Sequence, residues 1–331
     1  MTVYPQGATG YGLMSLTWRP DPIEPQKFFD AINVALDEGV TFFNSGEFYG
    51  PNDDRLLNLE LLRDYFKKYP SNRSKMTVSV KGCSNLKTLA PDNSKESIEE
   101  SVNRISSYFP DGKIDLFEPA RMDLVHSVEE VIEALKPFIE SGKIGGISLS
   151  EVNGDTIRRA YKVYPKISYV EEEFSLMHRA IFQNGVNSVC KEYNIPIVAY
   201  SPLGRGYLTG TIKTLEDIPE GDIRRYLGRW SSDDILKANY GLVELVTKVA
   251  KRKGCTPGQV ALGWIRKHNE FPDKYARIIP IPSAASEPRL RENLTVVGLT
   301  DEEFEEINKE VERIDVKGYR YSKEAERFLE A

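Results

Sequence analysis

Short apolar runs alternate with amphipathic segments along the whole chain, and this alternation most constrains the fold. Eight of the runs have the length and composition of buried strands: residues 8–15, 40–46, 76–82, 113–120, 144–150, 167–174, 195–202 and 277–283. A repeated strand–helix order is typical of parallel sheets covered by helices. Eight such units predict an α/β protein with the fold of a (β/α)8 TIM barrel.

The segments between these runs carry the residues that begin and end helices. Residues 25–39 and 55–69 repeat apolar side chains on one helical face. Ser127 and Thr300 each stand three residues before a glutamate, which is the spacing of a capping box at a helix start. Residues 256–268 carry a proline where the first turn of a helix tolerates one. The pattern therefore predicts helices between the strands.

A doubly wound nucleotide-binding sheet is the main alternative fold for such an alternation. That fold usually carries GxGxxG after its first strand, with an acidic residue about 20 residues later. The first run here, ATGYGLMS, has only GxG and lacks both of the later elements. The motif therefore argues against a Rossmann domain.

Two segments stand outside the repeat. A glycine-rich loop at about residues 203–231 is longer than a simple connection needs, and we expect it to cover a bound cofactor. A polar tail with aromatic residues, at about residues 316–331, is expected to cover one end of the barrel. No internal repeat suggests a second domain, so residues 1–331 are predicted to form one.

The composition restricts the partners and the compartment. Lys and Arg number 44 against 50 Asp and Glu, and no basic block is present, so nucleic acid and anionic membranes are not expected as partners. The three cysteines are few and widely spaced, which fits a reducing compartment and no zinc site. Without a leader pattern or a long apolar run, the sequence predicts a cytoplasmic protein, with the nucleus as a second compartment, and leaves the oligomeric state open.

The residues at the carboxyl ends of the predicted strands should meet at one mouth of the barrel. They are Asn44, Tyr49, Lys81, Ala120, Arg121, Ser150, Glu171, Tyr200 and Ser283. Alone, each has an ordinary structural explanation, since a tyrosine after a strand usually packs and a lysine there is usually solvated. Their joint placement at one end of successive strands favours a functional site.

A tyrosine and a lysine at this mouth suit proton transfer. A phenol has a reference pKa of about 10, and a neighbouring ammonium lowers that pKa by stabilising the phenolate. Tyr49 and Lys81 could therefore protonate a carbonyl oxygen that receives a hydride. Because protein side chains do not supply hydride, a nicotinamide cofactor is implied.

Several ordered motifs resemble one known family. NSGEFYG, VSVKG, GKIGGISLSEV, VEEEFSLMHR, VAYSPLGRGYLTG and IPIPS…RLREN are similar, in this order, to the signatures of the aldo-keto reductase superfamily. Within it the chain is most similar to fungal pyridoxal reductases, because FEPARMD stands where most members have a histidine. The resemblance implies an NADPH-dependent reduction of an aldehyde to an alcohol, with pyridoxal to pyridoxine in vitamin B6 metabolism as the leading reaction.

The resemblance also implies roles for individual residues. The catalytic set would comprise Tyr49 as the proton donor, Lys81 as the partner that lowers its pKa, and Asn44. The expected contacts to NADPH, running from the nicotinamide to the adenosine end, are Ser150, Glu171, Tyr200, Ser201, Leu203, Gly204, Arg205, Ser283, Arg289, Glu292 and Asn293. The expected substrate wall consists of Met14, Trp18, Phe48, Ala120 and Arg121.

The chain departs from the family pattern at several of these positions. Asn44 replaces an aspartate, Ala120 a histidine, Glu171 a glutamine and Ser283 a lysine. A charge lost about 6 Å away is worth roughly 3 kcal/mol at an effective dielectric of about 20. Tyr49 should therefore sit in a more positive field if Lys81 stays protonated, while Lys81 loses support for its own charge.

Two other functions compete with the reductase. Lys81 could be the Schiff-base nucleophile of a lyase, since lysines at barrel mouths do this chemistry. The replaced catalytic positions would also suit a non-catalytic NADPH-binding sensor or a channel-associated subunit. Borohydride trapping on the lysine would identify the first alternative, and tight NADPH binding without turnover would identify the second.

Overall fold

The computed structural model describes residues 3–331, in which eight parallel strands form one sheet in the order of the sequence. Their bounds are Tyr11–Gly12 (β1), Phe42–Gly46 (β2), Thr77–Gly82 (β3), Leu116–Pro119 (β4), Ile147–Ser150 (β5), Ile167–Glu173 (β6), Ile197–Tyr200 (β7) and Ile278–Pro280 (β8). The backbone N–H groups of Gly10 and Gly12 donate to the carbonyls of Pro280 and Pro282 at 3.0 and 3.3 Å and link β1 to β8. The predicted (β/α)8 barrel is confirmed.

Helices follow the strands and cover the outside of the sheet. Their bounds are Met14–Thr17 (α1), Pro25–Asp37 (α2), Leu57–Lys68 (α3), Lys95–Ser106 (α4), Val128–Glu140 (α5), Gly154–Val163 (α6), Val186–Glu192 (α7), Asp233–Lys253 (α8), Pro257–Lys267 (α9), Glu287–Leu294 (α10) and Asp301–Val311 (α11). The predicted capping boxes at Ser127 and Thr300 are present at the starts of α5 and α11. Within residues 3–331, none of these helices combines the length and apolarity needed to cross a bilayer.

The first predicted strand is mostly wrong. Of residues 8–15 only Tyr11 and Gly12 are extended, and α1 begins at Met14. Crowding explains the glycine here, because a Cβ on Gly12 would lie 3.0 Å from the carbonyl oxygen of Ile281. The early turn into α1 brings Met14 to the mouth of the barrel.

The barrel interior is packed, so the site can only lie at its mouth. Its filling comes from Phe42, Leu116, Tyr169, Val198 and Ile281, all nearly or fully buried. Tyr169 packs edge-on against Phe42 with ring centres 5.5 Å apart. The opposite faces of the strands bury a larger apolar cluster under the helices. Interior packing at one end and open space at the carboxyl end are the usual anatomy of this barrel.

The long loop and the tail meet each other beside that mouth. The loop contains four short 3₁₀ turns, Tyr207–Thr209, Leu215–Asp217, Ile223–Tyr226 and Gly228–Trp230. The N–H groups of Gly228 and Arg229 donate to the carbonyls of Tyr321 and Tyr319 at 3.1 and 2.8 Å. Both segments line the same cavity. That the loop covers a bound cofactor stays a prediction.

Candidate active site

A cavity of about 930 Å³ opens at the carboxyl ends of the strands. Most of the predicted site residues line it: Met14, Trp18, Asn44, Phe48, Tyr49, Lys81, Ala120, Arg121, Glu171, Tyr200, Ser201, Leu203, Arg205, Ser283, Arg289 and Asn293. Ser150, Gly204 and Glu292 lie behind this wall. The fold thus gathers at one site residues that are spread over nearly the whole sequence.

Tyr49 is held in the cavity wall by the turn that follows β2. Its N–H donates to the carbonyl of Gly46 at 3.2 Å, and its own carbonyl accepts from the Thr17 hydroxyl at 2.6 Å. A Cβ on Gly46 would lie 2.9 Å from the Tyr49 ring, so the ring needs a glycine beneath it. The motif NSGEFYG therefore positions a nearly buried tyrosine, only 6% exposed, against the strand end.

A cluster of charged and amide side chains surrounds Lys81. Its Nζ donates to Asn44 Oδ1 at 2.9 Å and to Glu171 Oε1 at 2.6 Å. Asn44 Nδ2 donates to the other oxygen of Glu171 at 2.6 Å, so the three side chains form a closed triangle. A second carboxylate, Glu118, lies 3.5 Å from the same Nζ. All four residues are buried.

The charges in this cluster decide the protonation of the tyrosine and the lysine. Burial opposes the charge of Lys81, but Glu118 and Glu171 outweigh it and raise the pKa of Lys81, which therefore stays an ammonium. Burial raises the pKa of Tyr49 to about 12, because the effect of burial outweighs that of Lys81, which lowers the same pKa. Glu171 and Glu118 also act to raise it. The expected excess of positive field at Tyr49 is therefore offset by two carboxylates.

An apolar wall stands on the other side of Tyr49. The ring centre of Phe48 lies 5.3 Å and that of Trp18 5.9 Å from the centre of the Tyr49 ring. Ala120 belongs to the same cluster, so a methyl group stands beside the phenol. The remaining apolar members of the cluster are Met14, Leu86 and Leu89. Leu86 and Leu89 come from the loop after β3, and no sequence motif marks them as site residues.

Arg121 lies between two predicted cofactor residues and the tail. Its guanidinium donates to Ser150 Oγ at 3.2 Å and to the hydroxyl of Tyr321 at 3.0 Å. Ser150 is therefore screened from the cavity, and its contact to a nicotinamide stays a prediction that requires Arg121 to move. Tyr200 does line the cavity, and its hydroxyl donates to Glu151 at 2.7 Å, which fixes the orientation of the ring.

The predicted nucleotide contacts lie on the loop after β7 and on α10. Ser201 and Arg205 have positive φ angles of 49° and 53°, a strained backbone for residues with side chains and one that clusters at functional sites. Arg289 is half exposed on α10. Glu292 lies off the cavity wall, 3.8 Å from Arg289, and accepts from the Thr256 hydroxyl at 2.7 Å, so it is placed to orient the arginine.

This donor set fits a dinucleotide. Arg121 and Arg205 both line the cavity and both donate to the Tyr321 hydroxyl, at 3.0 and 3.1 Å. Within residues 3–331 neither guanidinium donates to a carboxylate. Cations without an anionic partner suit a diphosphate, and Arg289 offers a third guanidinium further along the cavity.

Several site residues were not foreseen from the sequence. Glu118, Glu151, Glu173, Arg320 and Tyr321 all touch the site or support it. Arg320 pairs with Glu151 and with Glu173 at 2.8 Å, which fastens the tail beneath Tyr200. A signal was present, because Glu118 directly follows Leu116 and Phe117 in a predicted strand and β6 carries three consecutive glutamates. Acidic residues inside buried strands are rarely tolerated without partners.

Comparison with known proteins identifies the class. The model of the aldo/keto reductase family matches residues 8–312, and the chain belongs to this family. It is 42% identical to a provisionally assigned pyridoxal reductase of Saccharomyces cerevisiae, over 95% of each chain. It is 37% identical to a probable pyridoxal reductase of Schizosaccharomyces pombe, over 98% of this chain and 97% of that protein.

A solved structure shares the fold. A thermostable aldo-keto reductase, in complex with the inhibitor epalrestat, superposes with a TM-score of 0.68 over 92% of this chain and 95% of that one. The two sequences are 19% identical, so the similarity concerns the fold alone. The family resemblance noted in the sequence motifs is confirmed by the family match.

Proposed function

We propose that the protein is an NADPH-dependent aldehyde reductase whose leading substrate is pyridoxal, reduced to pyridoxine. The observation that carries the proposal is the position of Tyr49, between the charged cluster of Lys81 and an apolar wall formed by Trp18, Phe48 and Ala120. A proton donor beside a surface for a flat ring is the arrangement that reduction of an aromatic aldehyde requires.

In this proposal Tyr49 binds the carbonyl oxygen and gives it a proton. Its raised pKa keeps the phenol protonated at neutral pH, so the proton is present when the carbonyl arrives. The Lys81 ammonium, with its Nζ 6.0 Å from the centre of the Tyr49 ring, stabilises the phenolate as it forms. When bound, NADPH would supply the hydride that makes the carbonyl oxygen basic enough to take the proton.

The chain's own residues would hold the cofactor along the cavity. Tyr200 offers an aromatic face for the nicotinamide, oriented by its hydrogen bond to Glu151. Arg205 and Arg121 would neutralise the diphosphate, and the guanidinium of Arg289 would bind a 2′-phosphate. The preference for NADPH over NADH rests on Arg289 in particular.

Pyridoxal is favoured over smaller aldehydes for two reasons. The two relatives named for pyridoxal reduction align with nearly all of this chain. The methyl group of Ala120, beside Tyr49, leaves room for the substituents of a pyridine ring. A histidine in its place would fill that room.

The competing Schiff-base lyase is disfavoured, because the amine of a nucleophilic lysine must lose its proton. Two carboxylates within 3.5 Å hold Lys81 as an ammonium. The test of the proposed function is NADPH oxidation across a panel of aldehydes that includes pyridoxal. We expect pyridoxal among the most efficient substrates. Tight NADPH binding without turnover of any aldehyde would contradict the proposal and favour a sensor.

A further inference from the structure

The chain has an amide where the proton-transfer cluster would be expected to need a carboxylate. Asn44 on β2 donates through Nδ2 to Glu171 Oε2, and accepts from Lys81 through Oδ1. Glu171 reaches the same ammonium from β6, on another part of the barrel. Both side chains therefore contact Lys81 directly, and they contact each other.

We propose that Glu171 is the counter-ion that holds Lys81 against Tyr49, and that Asn44 and Glu171 have exchanged the carboxylate and amide roles around one ammonium. Glu171 is a positioning residue in this proposal, since it acts on the reaction through Lys81. The inference rests on the proposed function only in taking Tyr49 as the proton donor.

The hydrogen bonds indicate the ionisation state of Glu171 and the orientation of the Asn44 amide. The two oxygens of Glu171 accept from two different N–H donors, Lys81 and Asn44, which is the pattern of an ionised carboxylate. The amide of Asn44 is oriented with its oxygen towards the cation and its nitrogen towards the anion. If an acid at position 44 and an amide at position 171 replaced them, the same triangle could close with the donor and acceptor directions reversed.

The charges around Lys81 also indicate that the carboxylate lost at position 44 is replaced by the one at position 171. Lys81 is 5% exposed, and a buried ammonium needs a counter-ion in direct contact. Glu118 contributes a second negative charge at 3.5 Å, but its hydrogen-bond partner is the Tyr169 hydroxyl at 2.5 Å. Glu171 is thus the carboxylate that both pairs with and orients the lysine.

The proposal predicts the direction in which the pKa of Tyr49 should shift. The charged groups that act on this phenol are Lys81 from β3, Glu118 from β4 and Glu171 from β6. Burial and Glu118 raise the pKa of Glu171 to about 8, while Lys81 and Arg121, which follows β4, lower it. Glu171 is therefore ionised over the pH range in which Tyr49 titrates, in agreement with the two N–H groups that its oxygens accept from. Its charge raises the pKa of Tyr49, so removing that charge should lower the pKa of Tyr49. A unit charge about 6 Å away shifts a pKa by roughly two units at an effective dielectric of about 20.

The experiment is a cycle of three variants read by tyrosinate absorbance. The signal of Tyr49 is isolated as the difference between each protein and the same protein carrying Tyr49→Phe, titrated without substrate or cofactor. Glu171→Gln should lower the apparent pKa of Tyr49 by about one to two units. Asn44→Asp should raise it. The double variant Asn44→Asp with Glu171→Gln should restore the wild-type titration.

A matched control lies one residue away. Glu172 is also buried, but its carboxylate accepts from the N–H of Val152 at 3.0 Å and does not line the cavity. Glu172→Gln should therefore leave the Tyr49 titration unchanged, even if it lowers stability. An unshifted titration in Glu171→Gln would overturn the proposal, as would a double variant displaced as far as Glu171→Gln.

The pH dependence of kcat/KM in the same variants provides a second test. The basic limb of kcat/KM should move to lower pH in Glu171→Gln and return in the double variant, on any aldehyde that the enzyme reduces. If Asn44→Asp or Glu171→Gln alone does not fold, recovery of folding in the double variant supports the exchange, and its absence contradicts it. Failure of pyridoxal turnover would count against the proposed substrate only, because the absorbance titration needs no turnover.

Discussion

The two ends of the cavity are built from different kinds of structure. The end proposed for proton transfer consists of buried side chains on barrel strands, with Lys81, Asn44 and Glu171 hydrogen-bonded to each other. The end proposed for the nucleotide is built from a loop, a short helix and the tail, and the cation proposed to bind there, Arg289, is half exposed. The positions of the side chains at the strand ends are set by the hydrogen-bonded sheet. The other end of the cavity depends on segments outside the sheet, whose positions the barrel does not set.

Because the two ends are built differently, the effects of changes at each end should be separable. A change at the buried end should alter the chemical step, because its groups act on the transferred proton. A change at the nucleotide end should alter binding and cofactor choice, with little effect on the step itself. Four predictions test this separation, from the largest expected effect to the smallest.

Tyr49→Phe should remove the chemistry and leave binding intact. The phenyl ring keeps the packing against Gly46, Phe48 and Trp18, so only the proton donor is lost. We expect kcat to fall by about 10²–10⁴-fold, the usual contribution of a general acid. The measurement is kcat on pyridoxal together with the Kd of NADPH. Retention of most activity would mean that Tyr49 is only a packing residue of the turn.

Arg320→Ala should loosen the tail from the barrel. The guanidinium is buried and pairs with Glu151 and Glu173, so its removal leaves Glu151 without a cation in contact and Glu173 with Arg229 alone. We expect a loss of about 3–5 kcal/mol in the free energy of unfolding and weaker NADPH binding, because Tyr200 and Tyr321 lose support. Chemical denaturation and fluorescence titration measure both. Lys323→Ala, an exposed change in the same tail, is the control, and equal effects of the two variants would refute the explanation.

Arg289→Ala should reduce the preference for NADPH over NADH. A desolvated contact to the 2′-phosphate of about 2–3 kcal/mol corresponds to roughly a 30–150-fold preference for NADPH. The ratio of kcat/KM with NADPH and NADH measures it, and kcat should change little. Arg291→Ala is a matched control, because that residue is on the same helix but pairs with Glu38 and Glu287. A preference that survives Arg289→Ala would contradict the assignment.

Ala120→His should discriminate against bulky ring aldehydes. The imidazole would fill the space beside Tyr49, and overpacking a fitted site costs about 1–3 kcal/mol. The ratio of kcat/KM for pyridoxal and for a small aliphatic aldehyde should therefore move by roughly 5–150-fold. Ala120→Leu adds volume without a polar group, so it distinguishes the effect of crowding from the effect of polarity. Equal changes for both aldehydes would show that Ala120 does not determine substrate choice.

Most of the fold could be predicted from the sequence, because strand and helix periodicities are local signals. All eight predicted strands contain an observed strand, although residues 113–120, 144–150, 195–202 and 277–283 contain strands of only three or four residues. The capping boxes at Ser127 and Thr300 form. The first predicted strand, residues 8–15, is overestimated, because α1 begins at Met14 and part of the hydrogen bonding of this segment is to residues at and just after β8, more than 260 residues away. A local pattern contains no information about such a neighbour.

Local sequence patterns are sufficient to place these residue types at the mouth of the barrel, since each follows a strand at its carboxyl end. How their charges combine depends on the folded barrel. Lys81, Glu118 and Glu171 come from β3, β4 and β6, and their mutual distances follow from the closure of the sheet. The position of Asn44 alone suggested a lost charge at Tyr49. The folded barrel brings a carboxylate from β6 to the same ammonium, because electrostatic interactions depend on distance in space and not on separation along the chain.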